Sequence, residues 1–274
     1  RKAETNFIFT LASSARQNIA DGYYHGAKVP HQGLPGRRSL KESILRSKLT
    51  PVIAEIKFTS PAEGRLRPTG DVAAIAEAYQ RGGVSGISVL TEPRHFEGDI
   101  RYLPIVKKAV DVPVLMKDII VDPLQIDAGA DMGADAVLLI AGIFINKLAN
   151  ASLDEMLARA HALGLEVLLE AHTEEEYKFA LDSSADLIGI NNRNLDTLKV
   201  SLETSRTLLV KGRAQRRRLS REGRDKPVVS ESGITNRAQI DELRSLGADA
   251  VLIGSALMKS TDLQAKVRSL TGAK

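Results

Sequence analysis

The 274-residue sequence predicts an α/β chain folded as a (β/α)8 TIM barrel with an N-terminal helical extension. Three observations carry that prediction. Eight short apolar runs follow residue 50, helical patterns separate them, and one pair of runs recurs later in the chain. The length is also that of a single such barrel.

Residues 1–50 stand outside the alternation. TNFIFTLASSARQNIADGYY reads as one amphipathic helix and SLKESILRSK as a second. Between them HGAKVPHQGLPGRR is irregular, with three glycines and two prolines in fourteen residues. This region is too small for a core of its own. It is expected to cover one barrel mouth, so that 1–274 is one domain with the barrel in 51–274.

The apolar runs are PVIAEIK (51–57), VSGISVL (84–90), VPVLMK (112–117), ADAVLLI (134–140), LEVLLE (165–170), ADLIGI (185–190), PVVSE (227–231) and ADAVLIG (248–254). They are apolar on both faces, as strands of a parallel sheet covered by helices must be. Helical patterns such as DVAAIAEAYQRGG (71–83) and LDEMLARAHALGL (153–165) lie between them and end near glycine.

Residues 112–140 align without a gap on 226–254, at an offset of 114 residues, with 12 of 29 positions identical. Strands three and four therefore repeat as seven and eight. A doubly wound open sheet is the main rival, but two four-strand halves favour closure.

Composition narrows the function. The chain has no cysteine, which excludes disulfides, thiolate catalysis and cysteine-ligated metals and fits a cytoplasmic location. The longest mostly apolar run, AVLLIAGIFI (136–145), is about half of what a membrane-spanning helix needs. No basic segment precedes an apolar core at the N-terminus, so neither a membrane anchor nor a secretory signal is expected. The net charge is +4, and much of the excess lies in KGRAQRRRLSREGRDK (211–226). That stretch reads as a solvated basic loop. It has no interleaved aromatic residue to stack on bases, which argues against nucleic acid, although it would attract anions, phosphorylated substrates included.

In barrels of this kind the chemistry sits at the C-terminal strand ends. Those ends carry Glu55 and Lys57, Lys117, Glu170, Asn191 and Glu231. Glu55 and Lys57 are two residues apart and share a face. Burying so many polar groups makes sense only if they pair with each other or with a ligand. SESGI and IGSALM follow the last two strands, so the backbone N–H groups of Gly233, Gly254 and Ser255, with a helix behind them, form a candidate phosphate cradle.

The histidines, His25, His31, His95, His161 and His172, are scattered and show no metal-ligand spacing. His161 reads as surface, and His172 is a candidate for the barrel mouth. With no Walker loop, no GxGxxG after a strand and no metal cluster, the sequence points to a metal-free, cofactor-free catalyst using lysines and carboxylates.

The segments AEIKFTSP, SVLTEPRHFEGD, PVLMKD, ADAVLLI, LLEAHTEEE, IGINNRNL, VSESGI and GADAVLIGSALM occur in the order found in the indole-3-glycerol phosphate synthases, which the chain resembles from about residue 51 to 258. The resemblance implies ring closure, decarboxylation and dehydration of a carboxyphenylamino-deoxyribulose 5-phosphate in tryptophan biosynthesis. It implies Lys117 as the general acid for closure, Glu170 as the acid/base for dehydration and Lys57 as the partner of the substrate carboxylate. Glu55 and Glu231 would flank the lysines, Asn191 and Ser232 would orient hydroxyls and the phosphate end, and Ser60, Phe96 and Arg193 would touch substrate. The chain departs from the family pattern at Phe58 to Glu63, at Glu97, where an amide is common, and at Ile119, where phenylalanine is usual.

The expected partner is a small phosphorylated molecule, with no nucleic acid and no membrane, acted on by a monomer or weak homodimer. Two alternatives are a phosphoribosyl isomerase and a non-catalytic anion- or RNA-binding barrel. An isomerase would want an aspartate or cysteine pair on strands one and five, and a binding barrel has no need of converging Lys117, Glu170 and Lys57.

Overall fold

The computed structural model describes residues 7–26, 33–195 and 197–274; His31 and part of the irregular N-terminal span lie outside them. Eight parallel strands are present. They are β1 (Val52–Ile56), β2 (Gly86–Leu90), β3 (Val114–Lys117), β4 (Ala136–Ile140), β5 (Glu166–Ala171), β6 (Leu187–Asn191), β7 (Val228–Glu231) and β8 (Ala250–Ile253). Each falls within one residue of a predicted run. They close in the order β1-β8-β7-β6-β5-β4-β3-β2, so the barrel and not the open sheet is the architecture.

Strand alternation divides the core in two. Val52, Ala54 and Ile56 pack outward among the helices, whereas Ile53 joins Leu115, Leu168 and Val229 inside the barrel. Two residues further along the same odd-numbered strands come Glu55, Lys117, Glu170 and Glu231. Barrel interiors are built from layers of four side chains on alternate strands. Here the layer nearest the mouth is ionisable where the layer below it is apolar.

The repeated GADA segment has a structural purpose. Asp135 before β4 and Asp249 before β8 accept the N–H groups of Val114 and Val228, at 2.8 and 2.7 Å. Asp186 before β6 does the same for Val167 at 2.8 Å. Each carboxylate thus fastens the start of an odd strand to its even neighbour. Asp135 also pairs with Lys107 at 2.6 Å, both side chains fully buried, and Lys107 donates to Gly36 O at 2.9 Å. Burial pushes the Lys107 ammonium below the ordinary lysine value, and Asp135 only partly offsets it. Lys107→Met strands the Asp135 carboxylate in the core and is expected to cost about 3–5 kcal/mol in urea unfolding. A loss under about 1 kcal/mol would show the pair to be dispensable.

The N-terminal helices do not both cover one mouth, as expected from the sequence. Helix Phe7–Ala20 lies over the C-terminal mouth, where Arg16 donates to Leu148 O at 2.6 Å and Asn18 to Glu92 at 3.2 Å. Helix Leu40–Leu45 closes the opposite end. Its first N–H bonds Glu166 at 2.7 Å, Ser43 donates to Ser85 O at 2.5 Å, and Leu40 and Ile44 plug the interior beneath Ile53.

The basic stretch is a helix, Arg213–Arg221, and not the predicted loop. Arginine forms helices well, Leu219 is buried, and Arg216 is anchored to Asp249 at 2.6 Å. Asp249 precedes β8, so this helix sits toward the barrel's N-terminal end. The basic residues expected to attract anions therefore lie away from the C-terminal strand ends.

AVLLIAGIFI divides into β4 and a short helix, Ala141–Ile145. Among the described residues no helix is long and apolar enough to cross a membrane.

Candidate active site

A cavity of about 420 Å³ opens at the C-terminal mouth. It is lined by Glu55, Lys57, Lys117, Glu170, Asn191, Ser60, Phe96, Arg193, Ser232, Gly233, Gly254 and Ser255, twelve residues that the sequence marked. Glu231 is the exception. It is fully buried beneath the floor and meets the cavity only through Lys117.

Lys117 stands at the centre of the ionisable layer. Its Nζ lies 3.1 Å from Glu231, 3.3 Å from Glu55 and 4.0 Å from Glu170. Its side chain keeps 17% exposure, so it is free to reach a ligand. Lys57 binds the other oxygen of Glu55 at 2.7 Å. Glycines on β6 and just past β8 leave room for these carboxylates. A Cβ on Gly189 would lie 2.3 Å from Glu231 Oε1, and one on Gly254 would lie 2.4 Å from Glu55 Oε1. Gly254 therefore makes room for the floor as well as lining the cavity.

Burial opposes the Lys117 charge, but Glu55, Glu231 and Glu170 outweigh it and hold the ammonium above the ordinary lysine value. Burial likewise opposes ionisation of Glu55, and Lys117 and Lys57 reverse that and lower its pKa. Glu231 goes the other way. Burial, together with the charges of Glu170 and Glu55, raises it despite Lys117, so it is the carboxyl that holds a proton most readily.

His172 lies behind Glu170 and away from the mouth, with 8% of its side chain exposed. Its Nε2 is 3.1 Å from Glu170 and its Nδ1 3.1 Å from Glu176. Burial disfavours its charge, yet the two carboxylates push it up to about 10. Burial also works against the Glu170 carboxylate, and His172 and Lys117 overcome it and lower its pKa. Glu170 Oε2 is buried with no aligned hydrogen bond, capacity that a ligand can take up.

The cavity has two unlike ends. Phe7, Leu11, Phe96, Ile119, Leu138 and Ile140 make an apolar wall. At the other end, Ser232 and Gly233 both take positive φ, 68° and 79°, turning the backbone after β7. Ser255 opens a single helical turn, Ser255–Met258, and Lys259 follows it on the cavity lining.

Two of the expected departures from the family pattern, Phe58 to Glu63 and Glu97, meet one another, whereas Ile119 stands apart on the apolar wall. Phe58 is buried, edge-on to Tyr102. Thr59–Ser60 and Gly64–Arg65 pair as a small hairpin, and Glu97 takes Thr59 Oγ1 and Arg65 Nη2, each at 2.8 Å.

Several lining residues escaped the sequence reading. Asp118 is buried, bonded to Tyr24 at 3.0 Å and Thr91 at 2.5 Å, and burial raises it to about 7. Glu92 is buried and gathers the N–H groups of Arg94, His95 and Phe96, fixing the loop that presents Phe96. Glu63 and Lys259 were also missed. The signal that could have found Asp118 and Glu92 was their position just past strand ends. His161, read as surface, contacts Asp186 at 2.9 Å.

Comparison with known proteins agrees with this geometry. A family model described as indole-3-glycerol phosphate synthase matches residues 15–270. The indole-3-glycerol phosphate synthase of Methanopyrus kandleri is 43% identical over 243 residues, covering 87% of this chain and 89% of the relative. That of Geobacillus kaustophilus is 39% identical over 240 residues, covering 86% and 87%. A solved thiamine phosphate pyrophosphorylase from Pyrococcus furiosus superposes with a TM-score of 0.54 at 21% identity, over 82% of this chain and 95% of that one, a likeness of fold alone. With a model match across most of its length and relatives near 40% identity, the chain belongs to the indole-3-glycerol phosphate synthase family.

Proposed function

We propose that this chain converts 1-(2-carboxyphenylamino)-1-deoxyribulose 5-phosphate to indole-3-glycerol phosphate, releasing carbon dioxide and water, as a carboxy-lyase of tryptophan biosynthesis. The observation that carries the reading is the layer of Glu55, Lys117, Glu170 and Glu231 under a cavity apolar at one end and cationic at the other. The substrate has the matching parts: an aromatic ring, a ketone, hydroxyls and a phosphate.

In this reading the ring lies against Phe96 and Ile119, and the phosphate sits at Ser232, Gly233, Gly254 and Ser255, with Arg193 and Lys259 beside it. Lys57, held by Glu55, neutralises the ring carboxylate. Asn191, Ser232 and Ser60 orient hydroxyls. The ring carbon bearing the carboxylate attacks the ketone carbon, and the carbonyl pair moves onto oxygen, which takes a proton from Lys117. Carbon dioxide then leaves, and its bonding pair restores the ring. Glu170, held ionised by His172, next removes the proton from the carbon beside nitrogen, and the hydroxyl departs as water with a proton from Lys57. Positioned acid or base groups of this kind contribute roughly 10²–10⁴ in rate each. Glu231 is a positioning group under Lys117.

Mixing the protein with that substrate and following indole fluorescence tests the reading. A saturable rise is expected, and no rise over buffer would overturn it. A pH profile tests the His172 part. His172→Asn removes the cation that lowers Glu170, so the acidic limb of kcat should move up by about 1–3 pH units. An unmoved limb would show that another group sets it.

The expected absence of nucleic acid, a cytoplasmic location, a monomer or weak dimer, and a single domain belong to the same proposal. Contacts such as Tyr24 to Asp118 and Lys107 to Gly36, which tie the extension to the barrel, support the last.

A further inference from the structure

We propose that Glu63 is a built-in competitor for the substrate phosphate and so sets how tightly this chain holds its substrate. The inference rests on the reading above that the phosphate binds at the β7 and β8 ends. Glu63 sits at the tip of the hairpin that follows β1. Its carboxylate accepts from Ser255 Oγ at 2.7 Å, pairs with Lys259 Nζ and lies 3.9 Å from Arg193 Nη2. Ser255 and Lys259 flank the single helical turn after β8, Arg193 lies in the loop after β6, and all three line the cavity. One carboxylate thus engages the hydroxyl, ammonium and guanidinium that a phosphate entering the cradle would use.

A solvent-exposed pair of one lysine and one glutamate carries little energy. Here three donors converge on one anion, and Lys259 and Ser255 hold its carboxyl below the usual value although burial opposes this. The hairpin also has a separate anchor. Thr59 and Arg65, at its base, bind Glu97, so the tip is able to leave the cradle while the base stays fixed. A phosphate dianion carries more charge and more acceptor oxygens than a carboxylate. It takes over Ser255 and Lys259, and Glu63 swings out. Each binding event therefore includes breaking the Glu63 contacts, and the observed affinity is lower by that amount.

The experiment measures KM for the carboxyphenylamino substrate and the inhibition constant of inorganic phosphate in the parent, Glu63→Gln, Glu63→Ala and Lys259→Met proteins. Both Glu63 variants are expected to lower KM and the phosphate constant together, by roughly three- to tenfold. Lys259→Met should raise both. Unchanged or raised constants in the Glu63 variants, with Lys259→Met still weakening phosphate, would overturn the competition while leaving the phosphate site standing. If Lys259→Met and inorganic phosphate both have no effect, the phosphate assignment fails and the proposal with it.

Discussion

Lys117→Met is expected to lower kcat by about 10⁴-fold or more while leaving KM within severalfold of the parent. Methionine keeps the length and the apolar stem but removes the proton and the charge. Both are needed at the same instant, when the ketone oxygen takes up the electron pair of the broken π bond. A general acid contributes roughly 10²–10⁴, and a fixed charge facing a developing oxyanion contributes a further large factor. The substitution also leaves Glu55, Glu170 and Glu231 without the cation they share. One of them then takes up a proton, as crowded carboxylates do, so the barrel remains folded. Steady-state rates by indole fluorescence, with substrate binding by calorimetry, separate loss of chemistry from loss of binding. A variant near the parent rate would remove Lys117 from the mechanism.

Glu170→Gln carries the second large effect. Glutamine preserves the shape and loses the base. Dehydration should slow by about 10²–10⁴-fold, and the decarboxylated, still hydroxylated intermediate should accumulate because closure is left to Lys117. His172 gives the prediction its sign. A carboxylate kept ionised by a buried imidazolium has no proton to donate near neutral pH and stands open to accept one, so its step is the removal of a proton from carbon. A mass spectrum of quenched reactions distinguishes the intermediate from substrate by the loss of carbon dioxide. No accumulation, with turnover at the parent rate, would contradict the role.

Much of this was legible in the chain because barrel strands obey a local rule. Runs apolar on both faces mark each strand, and alternation puts Glu55, Lys117, Glu170 and Glu231 on the inner face without knowledge of the partners. The internal repeat even places Lys117 and Glu231 at equivalent positions, 114 residues apart, and they meet at 3.1 Å. What the strand ends could not convey was depth. Glu231 lies under the floor because Gly189 leaves space for it.

Contacts between distant loops were not legible. Tyr24 and Asp118 are 94 residues apart, and Glu63 and Ser255 are 192 apart. Pairing of the first and last strands brings the second pair together, and docking of the N-terminal extension brings the first. Amphipathic patterning showed that SLKESILRSK buries a face, but not that the face fits the barrel end opposite the mouth. The run of arginines at 213–221 hid a helix, because Leu219 alone marks its inner side and the other anchors are ion pairs to the barrel base.

The central claim is a division of labour, with Lys117 serving closure and Glu170 serving dehydration. Rapid quenching of a single turnover, with enzyme in excess over substrate, tests it most directly. The Lys117→Met quench should contain unreacted substrate alone, and the Glu170→Gln quench should contain the decarboxylated, hydroxylated intermediate. The same intermediate accumulating in both variants, or indole-3-glycerol phosphate forming at the parent rate in either, would contradict the account.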